Sequence, residues 1–333
     1  MGKYPEMPLC EYTKKGTIMS ASPELITVDV GNARIKLGRY DRTKLVSCHG
    51  VPQPEQVIFS EAEKLLEIKL WLRESPLAPG TSWLISSVNS QLEQRLTEWI
   101  AAHRPDDCIQ ILTRDDINVP TDLEFPDAVG MDRLCNAKAA LRLKNDGEPS
   151  LVVDLGTAIT LDVLSGNGLF RGGAIMPGFS CAAQGLHDLT EQLPRIDVEE
   201  LRLPDFPGKN TTAAIQAGLF WGIIGAVRQF LSLAQEERPA LLILTGGNSY
   251  QVWEALLNPY ANSKTDSIVC EATRIEDSSG VFTPPPHANA SDTQESQSVP
   301  DNGFIPVHRF HEVICCPYLT LSGIALCAKS SCK

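Results

Sequence analysis

Residues 25–37 read LITVDVGNARIKL, and residues 150–162 read SLVVDLGTAITLD. In each, an apolar β-rich run ends in Asp-x-Gly-(Asn/Thr)-Ala, and a second β-rich run follows. Asp29, Gly31 and Ala33 match Asp154, Gly156 and Ala158 at one constant offset. A single Asp-x-Gly turn is an ordinary hairpin signal. Two in register, half a chain apart, predict two lobes of related topology.

Working outward, strands and helices alternate, which predicts α/β lobes. A helix is expected over residues 60–73 and a strand over 82–88. Ser90, with Glu93 three residues on, predicts a capped helix running to about His103. A strand follows over 108–113, and Leu134, Ala137 and Leu141 mark a helix over 131–143. After the second copy come the Gly-rich stretch RGGAIMPGFS (171–180), a helix over about 181–189, and the strand LLILTGG (241–247). Residues 314–327 read as an apolar, helical ending. These patterns place an N-terminal extension at 1–24, lobes at 25–148 and 149–333, and a low-complexity insertion at about 276–303, rich in Ser, Pro, Asp, Asn and Gln.

The run over about 212–234 is apolar on nearly every face, so it is expected to be buried on nearly every face. Gln216, Arg228 and Gln229 flank its most apolar part, so a core helix is expected rather than a membrane span. Gly218, Gly222 and Gly225 offer a flat strip for close helix packing, within one chain or between subunits.

The chain has 333 residues, 43% hydrophobic and 21% charged, with a net charge of −12. That charge and the lack of a basic run argue against nucleic-acid binding. The ten cysteines form no C-x-x-C pair and read as reduced thiols. His308, His311, Cys315 and Cys316 match no common zinc spacing. Residues 1–24 contain no apolar signal stretch, so a cytoplasmic protein with no membrane association is expected.

Chemistry concentrates at four places. In the two Asp-x-Gly turns, glycine permits positive φ and lets a phosphate approach backbone N–H groups. Asn32 and Thr157 add hydrogen bonds, and Asp29 and Asp154 are able to hold a cation. Thr245-Gly246-Gly247 follows a strand, where glycine lets backbone lie against a base or ribose. Gly130-Met131-Asp132-Arg133 opens a helix, whose dipole, with Arg133, is expected to lower the pKa of Asp132. A carboxylate there suits phosphoryl transfer, where it orients the hydroxyl and takes its proton late. Arg133 is suited to gripping a substrate carboxylate or a phosphoryl group.

The order Asp-Val-Gly-Asn (29–32), Gly-Met-Asp-Arg (130–133), Asp-Leu-Gly-Thr-Ala-Ile-Thr (154–160), Gly-Gly-Ala-Ile-Met-Pro-Gly (172–178), Gly-Lys-Asn-Thr (208–211) and Thr-Gly-Gly (245–247) resembles the type III pantothenate kinases. The resemblance implies duplicated actin-like (ribonuclease H-like) lobes with a cleft between them, and a homodimer with active sites at the subunit boundary. It implies transfer of the ATP γ-phosphate to the 4′-hydroxyl of pantothenate, the first step towards coenzyme A. Carried over by motif, Asp132 is the catalytic base. Asp29, Val30, Gly31, Asn32, Ala33, Arg34, Ile35, Lys36, Thr157, Gly246 and Gly247 hold ATP, which brings Mg²⁺. Asp154 binds an activating monovalent cation, K⁺ or NH₄⁺. Gly130, Met131, Asp132, Arg133 and Thr211 contact pantothenate.

The chain departs from the family pattern at Ala33, where Thr is usual, at Leu123, where a substrate-contacting Tyr is usual, and in its insertion. Two other readings stay open: a superfamily kinase for another small alcohol or sugar, and a non-catalytic transcriptional accessory factor.

Overall fold

A computed structural model describes residues 24–45, 50–61, 65–198, 203–234, 241–257 and 312–328. The N-terminal extension up to residue 23 and the insertion at 276–303 lie outside the described residues, as do His308 and His311. The first half comprises β1 (Glu24–Val30), β2 (Arg34–Asp41), α1 (Arg42–Leu45), β3 (Gln56–Glu61), α2 (Leu66–Glu74), β4 (Ser82–Ser87), α3 (Ser90–His103), β5 (Cys108–Ile111), α4 (Arg114–Ile117) and α5 (Met131–Leu143). The second comprises β6 (Ser150–Leu155), β7 (Ala158–Leu164), β8 (Phe170–Pro177), α6 (Phe179–Asp188), α7 (Thr211–Leu233), β9 (Leu241–Thr245), α8 (Ser249–Leu257), β10 (Glu312–Cys315) and α9 (Leu319–Ala325).

The duplication is written in the strand order. One sheet runs β3-β2-β1-β4-β5 and the other β8-β7-β6-β9-β10. In both, the first three strands are antiparallel, and the fourth and fifth add in parallel on the far side. These are the two lobes of related topology that the echo predicts, in the duplicated actin-like arrangement that the resemblance implies. The repeats differ by one residue in their hairpins. Asp29 pairs with Lys36, whereas Asp154 pairs with Thr160. A constant sequence offset would set Leu161 opposite Asp154, as Lys36 is opposite Asp29; the shorter second turn sets Thr160 there instead.

Strand alternation sorts side chains into layers. From β1, Ile26, Val28 and Val30 pack under α2 and α3 with Trp83, Ile85, Leu96 and Ile100. From β6, Leu151, Val153 and Leu155 pack under α7 and α8 with Phe220, Ile224 and Leu244. The alternate residues, Leu25 and Val152 among them, join a third core with Leu84, Leu134, Ala137, Ile243, Leu321 and Ile324. That core is filled by α5 and α9, which lie between the two sheets. Asp29 and Asp154 follow the inward phase, so both carboxylates point into this middle layer. Although α9 comes after the second sheet in the chain, it packs on β1, β2 and β4 of the first.

Three local expectations are corrected. The helix expected from residue 60 begins at Leu66, because QVIFSE (56–61) pairs with β2 as an edge strand. The cap of α3 is Asn89, whose side chain accepts from the Leu92 amide at 3.2 Å, one residue before Ser90. The apolar ending is first a strand, since Val313 and Ile314 extend the second sheet alongside β9. Within one chain, α7 is buried on only part of its surface. Phe220, Ile223, Ile224 and Val227 face the sheet, and Ile215 and Leu219 face α6. Ala214, Gly218, Gly222, Gly225, Gln229 and Leu233 form an exposed stripe at helical spacing.

Candidate active site

Both Asp-x-Gly turns sit at the C-terminal ends of inward-facing strands, the usual ligand end of α/β sheets. Neither Gly31 nor Gly156 has positive φ. Positive φ was expected there, but closeness is what these positions need. A Cβ on Gly31 would stand 3.1 Å from the Arg34 carbonyl, and one on Gly156 3.4 Å from the Ala158 carbonyl. The strained glycine is Gly246, at φ 88°, and a Cβ there would lie 2.7 Å from Asp154 Oδ1.

Asp29 is 6% exposed, and Lys36 Nζ donates to its Oδ2 at 3.2 Å. The Asp29 charge raises the Lys36 pKa, so this lysine stays cationic. Asn32, Ala33 and Arg34 are exposed at the hairpin tip. Val30 and Ile35 point the other way, into the outer core, so only their backbone borders the cleft. Thr157 is exposed at the second tip; Gly246 is buried and Gly247 exposed after β9.

Asp132 occupies the first turn of α5, whose N-cap is Gly130. Its Oδ1 accepts from the Arg133 amide at 2.8 Å and folds over Gly130, where a Cβ would come within 2.4 Å of it. Arg114 positions the approach to this turn. It donates to the carbonyls of Pro126 at 2.9 Å and Asp127 at 2.6 Å, and to that of Val129. The Asp132 pKa is raised, not lowered as the sequence suggested. Burial is the main cause, the charges of Asp29 and then Asp154 add to it, and the Arg133 amide and Lys36 oppose it. The Arg133 side chain, expected to lower that pKa, is paired elsewhere.

The Arg133 guanidinium grips Asp162 on β7, with Nε 2.9 Å from Oδ1 and Nη2 on the same oxygen. It also lies 5.4 Å from the centre of the Phe170 ring. Burial raises the Asp162 pKa to about 6, against the pull of Arg133. Asp154 is likewise raised by burial, opposed by Lys36 and by Asn136, whose Nδ2 donates to Oδ2 at 2.8 Å. Among the described residues no hydrogen bond engages Asp154 Oδ1, the oxygen beside Gly246 and Gly156. A half-buried carboxylate with one oxygen left open beside two bare glycines fits a bound cation.

The structure therefore brings Asp29, Lys36, Asp132 and Asp154 together, each within electrostatic reach of others. Thr211 sits apart, on the wall of an open groove of about 1090 Å³ between α6 and α7, shared with Leu186, Leu189 and Lys209. The sequence reading missed Asp162, Asn136 and Arg114. Asp162 lay inside the quoted echo, as its one other acidic residue. Arg114 and Asn136 carried no local signal.

The model of the type III pantothenate kinase family matches residues 25–232. The type III pantothenate kinase of Moorella thermoacetica is 34% identical over 226 residues, 67% of this chain and 87% of that protein. The Rhodopirellula baltica enzyme of the same name is 38% identical over 154 residues, 45% of this chain and 55% of its own length. Among solved structures, the acetate kinase of Porphyromonas gingivalis aligns over 92% of this chain and 98% of its own, at 9% identity and a TM-score of 0.40. The chain belongs to the type III pantothenate kinase family.

Proposed function

We propose that the protein phosphorylates the 4′-hydroxyl of pantothenate with ATP, with Asp132 as the base. The carrying observation is the convergence of Asp29, Lys36, Asp132 and Asp154 at the mouth between the sheets, where the first and last carboxylates both raise the Asp132 pKa. A base with raised pKa holds a proton more strongly, so Asp132 is suited to taking it from the acceptor hydroxyl as transfer completes. Lys36 and the backbone of residues 29–36 meet the phosphates from one lobe, and Thr157, Gly246 and Gly247 meet the nucleotide from the other. Asp29 would help hold the Mg²⁺ that accompanies ATP, and that ion would neutralise charge on the phosphates. Asp154 Oδ1 is the ligand for a monovalent cation, K⁺ or NH₄⁺. Gly130, Met131 and Arg133 form the acceptor side, and Asp162 and Phe170 fix the Arg133 guanidinium for it.

Thr211 joins the acceptor site as a contribution from a second copy, in a homodimer that packs through the exposed stripe of α7. That stripe and the place of Thr211 on the groove between α6 and α7, which none of the four clustered residues lines, support this reading. The lobes divide at about residue 149, and the protein works in the cytoplasm. Among the described residues one helix, α7, is long and apolar enough to cross a membrane; its packing on the second sheet supports a core role.

Complementation of a strain lacking pantothenate kinase tests the activity, backed by a coupled assay with the purified chain. Growth without added 4′-phosphopantothenate is the expected result. No rescue from a well-expressed, folded protein, together with no turnover in the assay, would sink it.

A further inference from the structure

The carboxylate of Asp154 is held from behind by a chain of buried side chains that ends on α9. The two helices between the sheets touch where Gly323 meets the Cys135 carbonyl; a Cβ on Gly323 would stand 1.9 Å from that oxygen. This bare contact places Thr320, one turn earlier on α9, beside Asn136, the next residue on α5. Thr320 Oγ1 donates to Asn136 Oδ1 at 2.9 Å, and Asn136 Nδ2 donates to Asp154 Oδ2 at 2.8 Å. Asn136 is 1% exposed and Thr320 4%.

The chemistry gives this chain a direction. An ionised carboxylate only accepts, so the Asn136 amide must turn its nitrogen to Asp154. Its oxygen then needs a donor, and the Thr320 hydroxyl is that donor. With Oδ2 tied down, the carboxylate plane is fixed and Oδ1 is presented to the gap between Gly156 and Gly246. A flipped amide would set oxygen against oxygen, so the carboxylate sets the amide's orientation and the hydroxyl on α9 completes and holds it.

We propose that Thr320 and Asn136 are positioning residues of the monovalent-cation site, holding Asp154 Oδ1 towards the ion and placing cation affinity under the control of α9. This rests on the reading of Asp154 as the cation ligand. Groups that orient a metal ligand from behind typically change affinity by about 10–100-fold when lost.

The test is Tl⁺ binding, a K⁺ substitute followed by thallium NMR on the MgADP complex with K⁺ as competitor, in the wild type and in Thr320→Val, Thr320→Ser, Asn136→Ala and Asp154→Asn. Thr320→Val is expected to weaken Tl⁺ binding about tenfold, Thr320→Ser to keep wild-type binding, and Asn136→Ala to weaken it further. MgADP affinity should stay constant in the Thr320 pair. Wild-type Tl⁺ affinity in both Thr320→Val and Asn136→Ala overturns the positioning role while leaving the Asp154 reading intact. A wild type whose Tl⁺ binding is absent, or is unchanged by Asp154→Asn, overturns that reading and this inference with it. Equal weakening in Thr320→Val and Thr320→Ser also overturns the inference, since the hydroxyl would then be irrelevant.

Discussion

The guanidinium of Arg133 is clamped by the carboxylate of Asp162, whose side chain is 1% exposed, while Arg133 keeps 14% of its own exposure. One oxygen of Asp162 takes two N–H groups, and Thr160 Oγ1 lies 3.3 Å from the other. An arginine held this way is a rigid fork rather than a flexible point charge. Asp162→Asn therefore should raise the KM for pantothenate about tenfold or more, through a site 1 Å looser, and leave the KM for ATP within about twofold. Removing one partner of a buried pair also costs about 3–5 kcal/mol, so a lowered melting temperature should accompany it. Steady-state kinetics with each substrate varied in turn would reject this if both KM values moved together.

Asp132→Asn keeps the shape of the first turn of α5 and removes the proton acceptor. Turnover should fall at least about a hundredfold, with ATP affinity nearly unchanged. Calorimetric ATP binding beside single-turnover rates checks both halves, and near-wild-type turnover would end the assignment.

The raised Asp132 pKa has a signed consequence. A base works when deprotonated, so activity should fall as pH drops through a midpoint above the ordinary aspartate value of about 3.9. Neighbouring negative charge helps hold the midpoint up. Asp29→Asn should therefore move it down, whatever happens to the absolute rate. A pH–kcat profile at saturating substrates checks this; a midpoint that stays put or rises in Asp29→Asn would contradict the electrostatic account.

Gly246→Ala meets two obstacles at once. It places a side chain at φ 88°, and its Cβ falls 2.7 Å from Asp154 Oδ1 and from Leu155 backbone. Backbone strain of this kind costs about 1–3 kcal/mol. The melting temperature should drop, and ATP binding and K⁺ activation should weaken together. Gly247→Ala, with nothing within 4 Å of its Cβ, is the control and should be nearly silent in stability.

Gly222→Leu separates a dimer from a monomer cleanly. Within one chain the added side chain meets nothing within 4 Å at its Cβ, so folding should be unaffected. Against a second copy of α7 it would overpack, at about 1–3 kcal/mol per site. Sedimentation should show the wild type as a dimer and the variant as a folded monomer that has lost pantothenate turnover. A fully active wild-type monomer at micromolar concentration would remove the dimer model.

Much of this was legible because local patterns carried it. The echo at 25–37 and 150–162 predicted two lobes of related topology, which the shared strand order bears out, and Met131–Leu143 was bounded correctly as a helix. Asp29, Asp132 and Asp154 stood out because each sits at a turn or a helix start. What stayed hidden depends on packing between distant segments. Asp162 reads as one polar residue in an alternating strand until Arg133 arrives from the other half of the chain. Asn136 looks like a weak helix former until Thr320 is set against it. The Asp132 pKa was misjudged because burial and two neighbouring carboxylates outweigh a helix dipole. Composition marked α7 as apolar on nearly every face, but only the packing of one chain shows which stripe it leaves uncovered.

The return of α9 to β1, β2 and β4 carries a consequence for biogenesis. A nascent chain emerges from the ribosome N-terminus first, and domains ordinarily fold as they appear. Here the inward face of the earliest sheet, with Leu25 and Leu84, shares its core with Leu321 and Ile324. Those partners are translated almost a whole described chain later. Until they arrive, the first half exposes an apolar surface that chaperones would have to shield, and contacts of such long sequence separation form slowly. A premature stop shortly before residue 319 would thus injure the half of the molecule made first, and ribosome-stalled chains of increasing length should become protease-resistant in one late step rather than lobe by lobe.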